Sequence, residues 1–188
     1  IYSNTEDSVV YLQVFGAAFG VFYTLYYFWS FFFSTILARK SYIAKTDTEK
    51  AYYLSTWTAN VHHLFIFVYS AYQFLANSSC EGAYPLIWMK DETCFLTVQK
   101  EFVYAGFITM GYLAYDYIIQ KYYVADTSPL GQKTLWHHIN GCTGLLIGMS
   151  SGYGITGVAC FSLLVEISTI FLNYRSMYSK ERMGDFIP

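Results

Sequence analysis

The sequence predicts an all-α fold: a polytopic bundle of about five transmembrane helices forming a single domain over residues 1–188. Three observations carry that prediction. Apolar residues make up 55% of the chain and charged residues only 13%, about half the roughly 25% usual in soluble domains. Aromatic residues reach 21%, with 20 Tyr and 16 Phe. The apolar residues fall in long runs, and a spanning helix needs about 20 such residues. A soluble core of this size could not hide so much apolar surface, whereas lipid-facing side chains need no protein cover. The net charge of −2 gives no basic footprint for nucleic acid.

The first span is expected over roughly 8–37 (Ser8–Leu37), long enough to tilt or to extend past the membrane. The second is expected over 51–75 (Ala51–Leu75) and the third over 101–123 (Glu101–Tyr123). The fourth, 134–150 (Thr134–Ser150), is short, and Gly141, Gly144 and Gly148 permit close helix contact. The fifth covers 154–177 (Gly154–Met177), and the tight turn at Ser151-Gly152-Tyr153-Gly154 makes spans four and five antiparallel neighbours. No internal repeat or low-complexity tract interrupts this pattern.

Arg39, Lys40, Lys45, Lys50, Lys121, Lys133, Arg175, Lys180 and Arg182 lie on one side of such a bundle, and Lys90 and Lys100 on the other. The positive-inside rule then puts the N-terminus outside and the C-terminus inside. The organelle stays open between the endoplasmic reticulum and the mitochondrial inner membrane. Cys80 and Cys94 flank a polar loop and could pair as a disulfide if that loop faces an oxidising compartment. Cys142 and Cys160 sit in apolar runs as packing residues.

The acidic and His side chains left inside the spans are His62, His63, Asp116, His137, His138 and Glu166. Each costs at least a few kcal/mol in hydrocarbon, so such groups face a bundle interior or a wet cavity. Helical rise puts His137 and His138 about one turn from the inner side, Asp116 roughly 10 Å deep, and His62, His63 and Glu166 roughly 16–18 Å deep. Thr56, Asn60 and His63 share one helix face, as do Thr109, Tyr112 and Asp116, and Glu166, Thr169 and Asn173, with Arg175 at the inner end. Adjacent residues on a helix point about 100° apart, so one member of each His pair is expected to pack or to support the other. Interhelical glue is the alternative role for every one of these groups, at about 0.6 kcal/mol per contact.

Gly111-Tyr112-Leu113 with Asp116, then Trp136-His137-His138, then Glu166-Ile167-Ser168-Thr169 with Phe171-Leu172-Asn173 and Arg175 resemble the TLC domain family over about residues 50–178. That group includes ceramide synthases, the translocating-chain-associated membrane proteins and smaller TLC-domain proteins. His62 falls where the family carries a His in span two. The resemblance implies a lipid-handling membrane protein. Its head-group site would be drawn from His62, His63, Asp116, His138, Glu166, Asn173 and Arg175. It also implies an alternative, acyl-CoA-dependent acyl transfer, with His137 or His138 and Asp116 as the catalytic pair and acyl-CoA as substrate. The downstream Asp pair of the ceramide synthases is missing, since no acid follows His138 until Glu166. Family members continue for at least one more span, so a longer chain or a partner would complete the bundle. A further alternative is an accessory subunit of a larger membrane complex, respiratory or otherwise organellar. Partners are therefore expected to be membrane lipids and other membrane subunits.

No cofactor or metal is expected. Di-iron membrane hydroxylases and desaturases resemble one another in three His boxes. The four His of this chain contain no H-x3-H box, and no H-E-x-x-H is present.

Overall fold

The computed structural model describes residues 5–38, 40–75, 100–151 and 155–177, with side chains described for 8–38, 40, 42–72, 102–150 and 166–177. All regular structure among them is helical. Helix α1 runs Thr5–Phe31 and widens into a π turn at Phe32–Ile36. A single short turn, α2 (Lys40–Ile43), leads to α3 (Asp47–Leu75). Helix α4 (Lys100–Ile119) also ends in a π turn, Gln120–Val124. Helices α5 (Pro129–Ser151) and α6 (Ile155–Met177) complete the set. The five long helices coincide with the expected segments to within a few residues.

Local chemistry explains where they begin. Thr46 and Glu49 form a reciprocal capping box at α3. The Thr46 N–H donates to Glu49 Oε2 at 2.8 Å, and the Glu49 N–H donates to Thr46 Oγ1 at 3.3 Å. Ser128 caps α5 by accepting from the Gly131 N–H at 3.1 Å, and Pro129 takes the first helical position. Both π turns close with an i to i−5 bond, Leu37 to Phe32 and Ala125 to Gln120, each 2.9 Å. A left-handed alanine follows each, Ala38 at φ 42° and Ala125 at φ 49°.

Helices α3 and α4 are the centre. Helix α1 packs on α4 and less on α3, α5 packs on α4, and α6 packs chiefly on α3. The α1–α4 crossing is close because Gly111 has no side chain. A Cβ there would lie 2.8 Å from both Ala18 Cβ and the Phe15 carbonyl oxygen. Close approach also occurs on α5, at one of its glycines. Gly141 does approach Leu113, but a Cβ on Gly144 would meet nothing within 4 Å. Among the described residues α6 lies chiefly on α3; the turn expected to pair it with α5 falls on residues 152–154, outside the described ones. Polar bonds between α3 and α6, described below, account for that choice.

Aromatic rings fill much of the interior. Trp29, Phe33, Tyr53 and Trp57 form one cluster between α1 and α3. Phe22, Tyr112 and Tyr115 form another between α1 and α4. Apolar side chains also cover the outside. Val9, Leu12, Val21, Phe28 and Phe31 of α1 and Phe171 of α6 are exposed. Soluble monomers rarely show contiguous apolar surface on that scale. Among the described residues, two helical stretches are long and apolar enough to cross a membrane, Ser8–Ile36 and Phe102–Val124. Helices α3 and α5 owe their lower hydropathy in part to inward-facing polar side chains, including Thr56, Asn60, His62, His63 and His138. Cys80 and Cys94 lie outside the described residues, as does the side chain of Cys160; Cys142 is a half-buried free thiol.

Candidate functional site: two histidine–carboxylate pairs

Asp116 lies in the last turn of α4, just before the π turn, and points at α5. The His138 Nε2 atom sits 2.6 Å from Asp116 Oδ2, and both side chains are buried. With Asp116 as the carboxylate, Nε2–H donates and the neutral ring keeps Nδ1 as an acceptor. His138 Nδ1 and Asp116 Oδ1 are buried without a hydrogen-bond partner. A second pair ties α3 to α6, with His63 Nδ1 2.7 Å from Glu166 Oε2. Thr169 also donates to Glu166 Oε2 at 3.4 Å. One turn on, the Asn173 amide donates to Asn60 Oδ1 at 2.9 Å. Tyr52 and Ser176 hydrogen-bond nearer the helix ends. These bonds along one seam fix α6 on α3.

Tyr112 stands between the two pairs. Its ring stacks on His62 at 3.9 Å between centroids, 10° from parallel, and meets His63 edge-on at 5.7 Å. His62 Nε2 approaches Thr109 Oγ1 at 3.4 Å, while its Nδ1 has no partner. Phe22 of α1 meets both stacked rings edge-on, 5.6 Å from His62 and 5.4 Å from Tyr112.

Of the residues expected to form the site, His62, His63, Asp116 and His138 are buried together in the helix bundle. His62 is packed against Tyr112, whereas His63 is the member of that pair that engages a carboxylate. Helix α3 is covered by α1, α4 and α6 at once, so directions 100° apart both point inward. The other pair does divide, since His138 is buried and His137 exposed. His137 is therefore not the partner of Asp116, although it lies close enough to Glu166 for their charges to interact. Asn173 is engaged with Asn60. Arg175 is exposed in the last turn of α6, apart from the buried group.

Tyr112, Thr109, Asn60 and Thr169 belong to the network but not to the site expected from sequence. Their helical spacing from Asp116, His63 and Glu166 was the available signal. Among the described residues no cluster of three or more metal-donor side chains is present. Chemically, His138 is an imidazole oriented by a carboxylate with its second nitrogen unengaged. That is the arrangement of a general base. The pairs are equally an array of acceptors for a ligand's hydroxyl or amine.

No protein-family model matches the chain, and neither a curated protein nor a solved structure matches it.

Proposed function

We propose that the chain is a multi-pass membrane protein that binds a membrane lipid, with the lipid head group met by the buried histidine–carboxylate pairs. In this account all five long helices cross the bilayer, with the N-terminus outside and the C-terminus inside. The observation that carries it is the contrast between an apolar exterior and the two pairs, Asp116–His138 and His63–Glu166, within one bundle. Polar groups at membrane depth are expensive and serve binding, transport or proton transfer. Apolar helices around a few convergent polar groups suit an amphiphile. Head-group contacts are assigned to His62, His63, Asp116, His138 and Glu166, with Asn173 bracing α6 and Arg175 available at the inner rim. Membership of the TLC domain family is part of the proposal and rests on the motifs around Asp116, His138 and Glu166.

The test is the lipid content of protein purified in mild detergent. Enrichment of one lipid over the bulk membrane composition supports the proposal. A lipid profile identical to the bulk contradicts it.

A second reading is acyl transfer from acyl-CoA to an amine or hydroxyl. The Nδ1 of His138, unpartnered behind the Asp116 contact, favours it. Here His138 removes the acceptor's proton, Asp116 holds the ring and stabilises the imidazolium, and the thiol of coenzyme A leaves. Acyl transfer by purified protein that disappears in His138→Ala supports this reading, and transfer that persists contradicts it.

A further inference from the structure

Four of the side chains assigned to the lipid head group are closed off. His62 is 1% exposed, Asp116 4%, and His63 and His138 6% each. No head group reaches them unless a helix moves, and the helices are held in different ways. Helix α1 meets α4 through backbone at Gly111 and through stacked rings such as Tyr11 on Phe107 at 5.2 Å. Helix α5 is tied to α4 by the buried Asp116–His138 pair. Helix α6 has no such anchor along residues 166–177, where Met177 alone among the described side chains is buried. Its bonds to α3 are polar: Glu166 with His63, Asn173 with Asn60, and Ser176 with Tyr52. Tyr174 adds an edge contact with Trp57, 6.4 Å between centroids. In a bilayer, lipid tails are as apolar as a neighbouring helix, so polar bonds carry much of the preference for helix over lipid. Elements with few buried apolar contacts are also the ones that open locally.

We propose that α6 is a lateral gate: it parts from α3 along residues 166–177, breaking the polar seam, and admits the lipid head group to His63 first. The proposal rests on the lipid-binding function above and adds the route by which the site is filled. Each broken bond releases a donor on one helix and an acceptor on the other. A head group carrying a hydroxyl or an amide does both and takes their place. His63 is the first imidazole uncovered, because it is the one bonded to α6. The partners of His62 on other helices are Phe22 of α1 and Thr109 and Tyr112 of α4, and His138 is bonded to Asp116 of α4. Opening of α6 therefore leaves both of these covered.

The experiment follows carbethoxylation of each histidine by diethyl pyrocarbonate, read by mass spectrometry, on the full chain in mild detergent. Cys80, Cys94, Cys142 and Cys160 are replaced by Ala. Asn60→Cys and Asn173→Cys are then introduced, and a short bis-thiosulfonate links the two new thiols across the seam. Reductant cleaves the link, so the same folded preparation is measured locked and free. His137, exposed on α5, normalises the reagent dose. Locked, His63 should react about tenfold more slowly than after reductant, and His62 and His138 should not respond. In the chain without the link, Asn173→Ala removes one seam bond and should speed His63 about tenfold. Lipid adducts seen by native mass spectrometry should survive detergent washing in the locked chain and be lost after reductant. Equal His63 rates in the locked and free chain overturn the gate. A response at His138 without one at His63 overturns it in favour of an opening between α4 and α5. Lipid lost equally from locked and free chain overturns α6 as its route. A chain whose His63 responds but which never carries lipid upholds the moving helix and overturns the lipid-binding function.

Discussion

His138 Nε2 lies 2.6 Å from Asp116 Oδ2 and joins α5 to α4 inside the bundle. Removing either partner leaves the other buried and unpaired, which typically costs about 3–5 kcal/mol. Asp116→Ala and His138→Ala should each destabilise strongly, and the double variant should cost much less than their sum. Asp116→Asn keeps an acceptor for Nε2–H and should recover part of the loss. Unfolding in mixed micelles measures all four, and simple additivity would show that the contact is not energetically coupled.

The α1–α4 crossing predicts a contrast among glycines. Gly111→Ala puts a methyl 2.8 Å from the Phe15 backbone oxygen, which cannot swing aside as a side chain does. The expected cost is about 1–3 kcal/mol. Gly16→Ala and Gly20→Ala, where a Cβ meets nothing within 4 Å, should be neutral or stabilising by up to about 1 kcal/mol. The same unfolding assay orders the three.

The left-handed Ala125 closes the π turn after α4 at φ 49°. Only glycine adopts that conformation without a steric penalty of about 1 kcal/mol. Ala125→Gly should therefore raise stability by about that amount, and a lowered midpoint would contradict the assignment.

At the start of α3, the Thr46 backbone N–H and hydroxyl hold the Glu49 carboxyl below the usual carboxylate range. A depressed folded-state value stabilises the fold above the ordinary carboxylate pKa, and that contribution is lost as pH falls through the depressed one. Thr46→Ala should cost about 1 kcal/mol near neutral pH. It should also flatten the acid side of the stability profile, where the wild-type contribution fades. Urea titrations from pH 3 to pH 7 check both effects; an equal cost at every pH would contradict the capping-box account.

The helices were legible because their signals are local. Thr46 with Glu49 and Ser128 with Pro129 mark two starts, and long apolar runs mark the rest. The site was legible as a set of residues but not as a set of partners. Neither the choice of His138 over His137 for Asp116 nor the His63–Glu166 pairing can be read from periodicity, because both depend on which helices meet. His62 and His63 show the limit most clearly. A helix with one buried face would hide only one of them, and it is the enclosure of α3 on three sides that hides both. Glycine spacing pointed to α5, where Gly141 does approach Leu113, but gave no sign of the tight α1–α4 approach at Gly111.

Native mass spectrometry of the chain released from detergent micelles tests the central claim most directly. The 21.6 kDa protein should retain an adduct of a single lipid mass, and the adduct should vanish when His138 and Asp116 are both replaced by Ala. A folded wild-type chain that appears only at its bare mass would contradict the lipid-binding account.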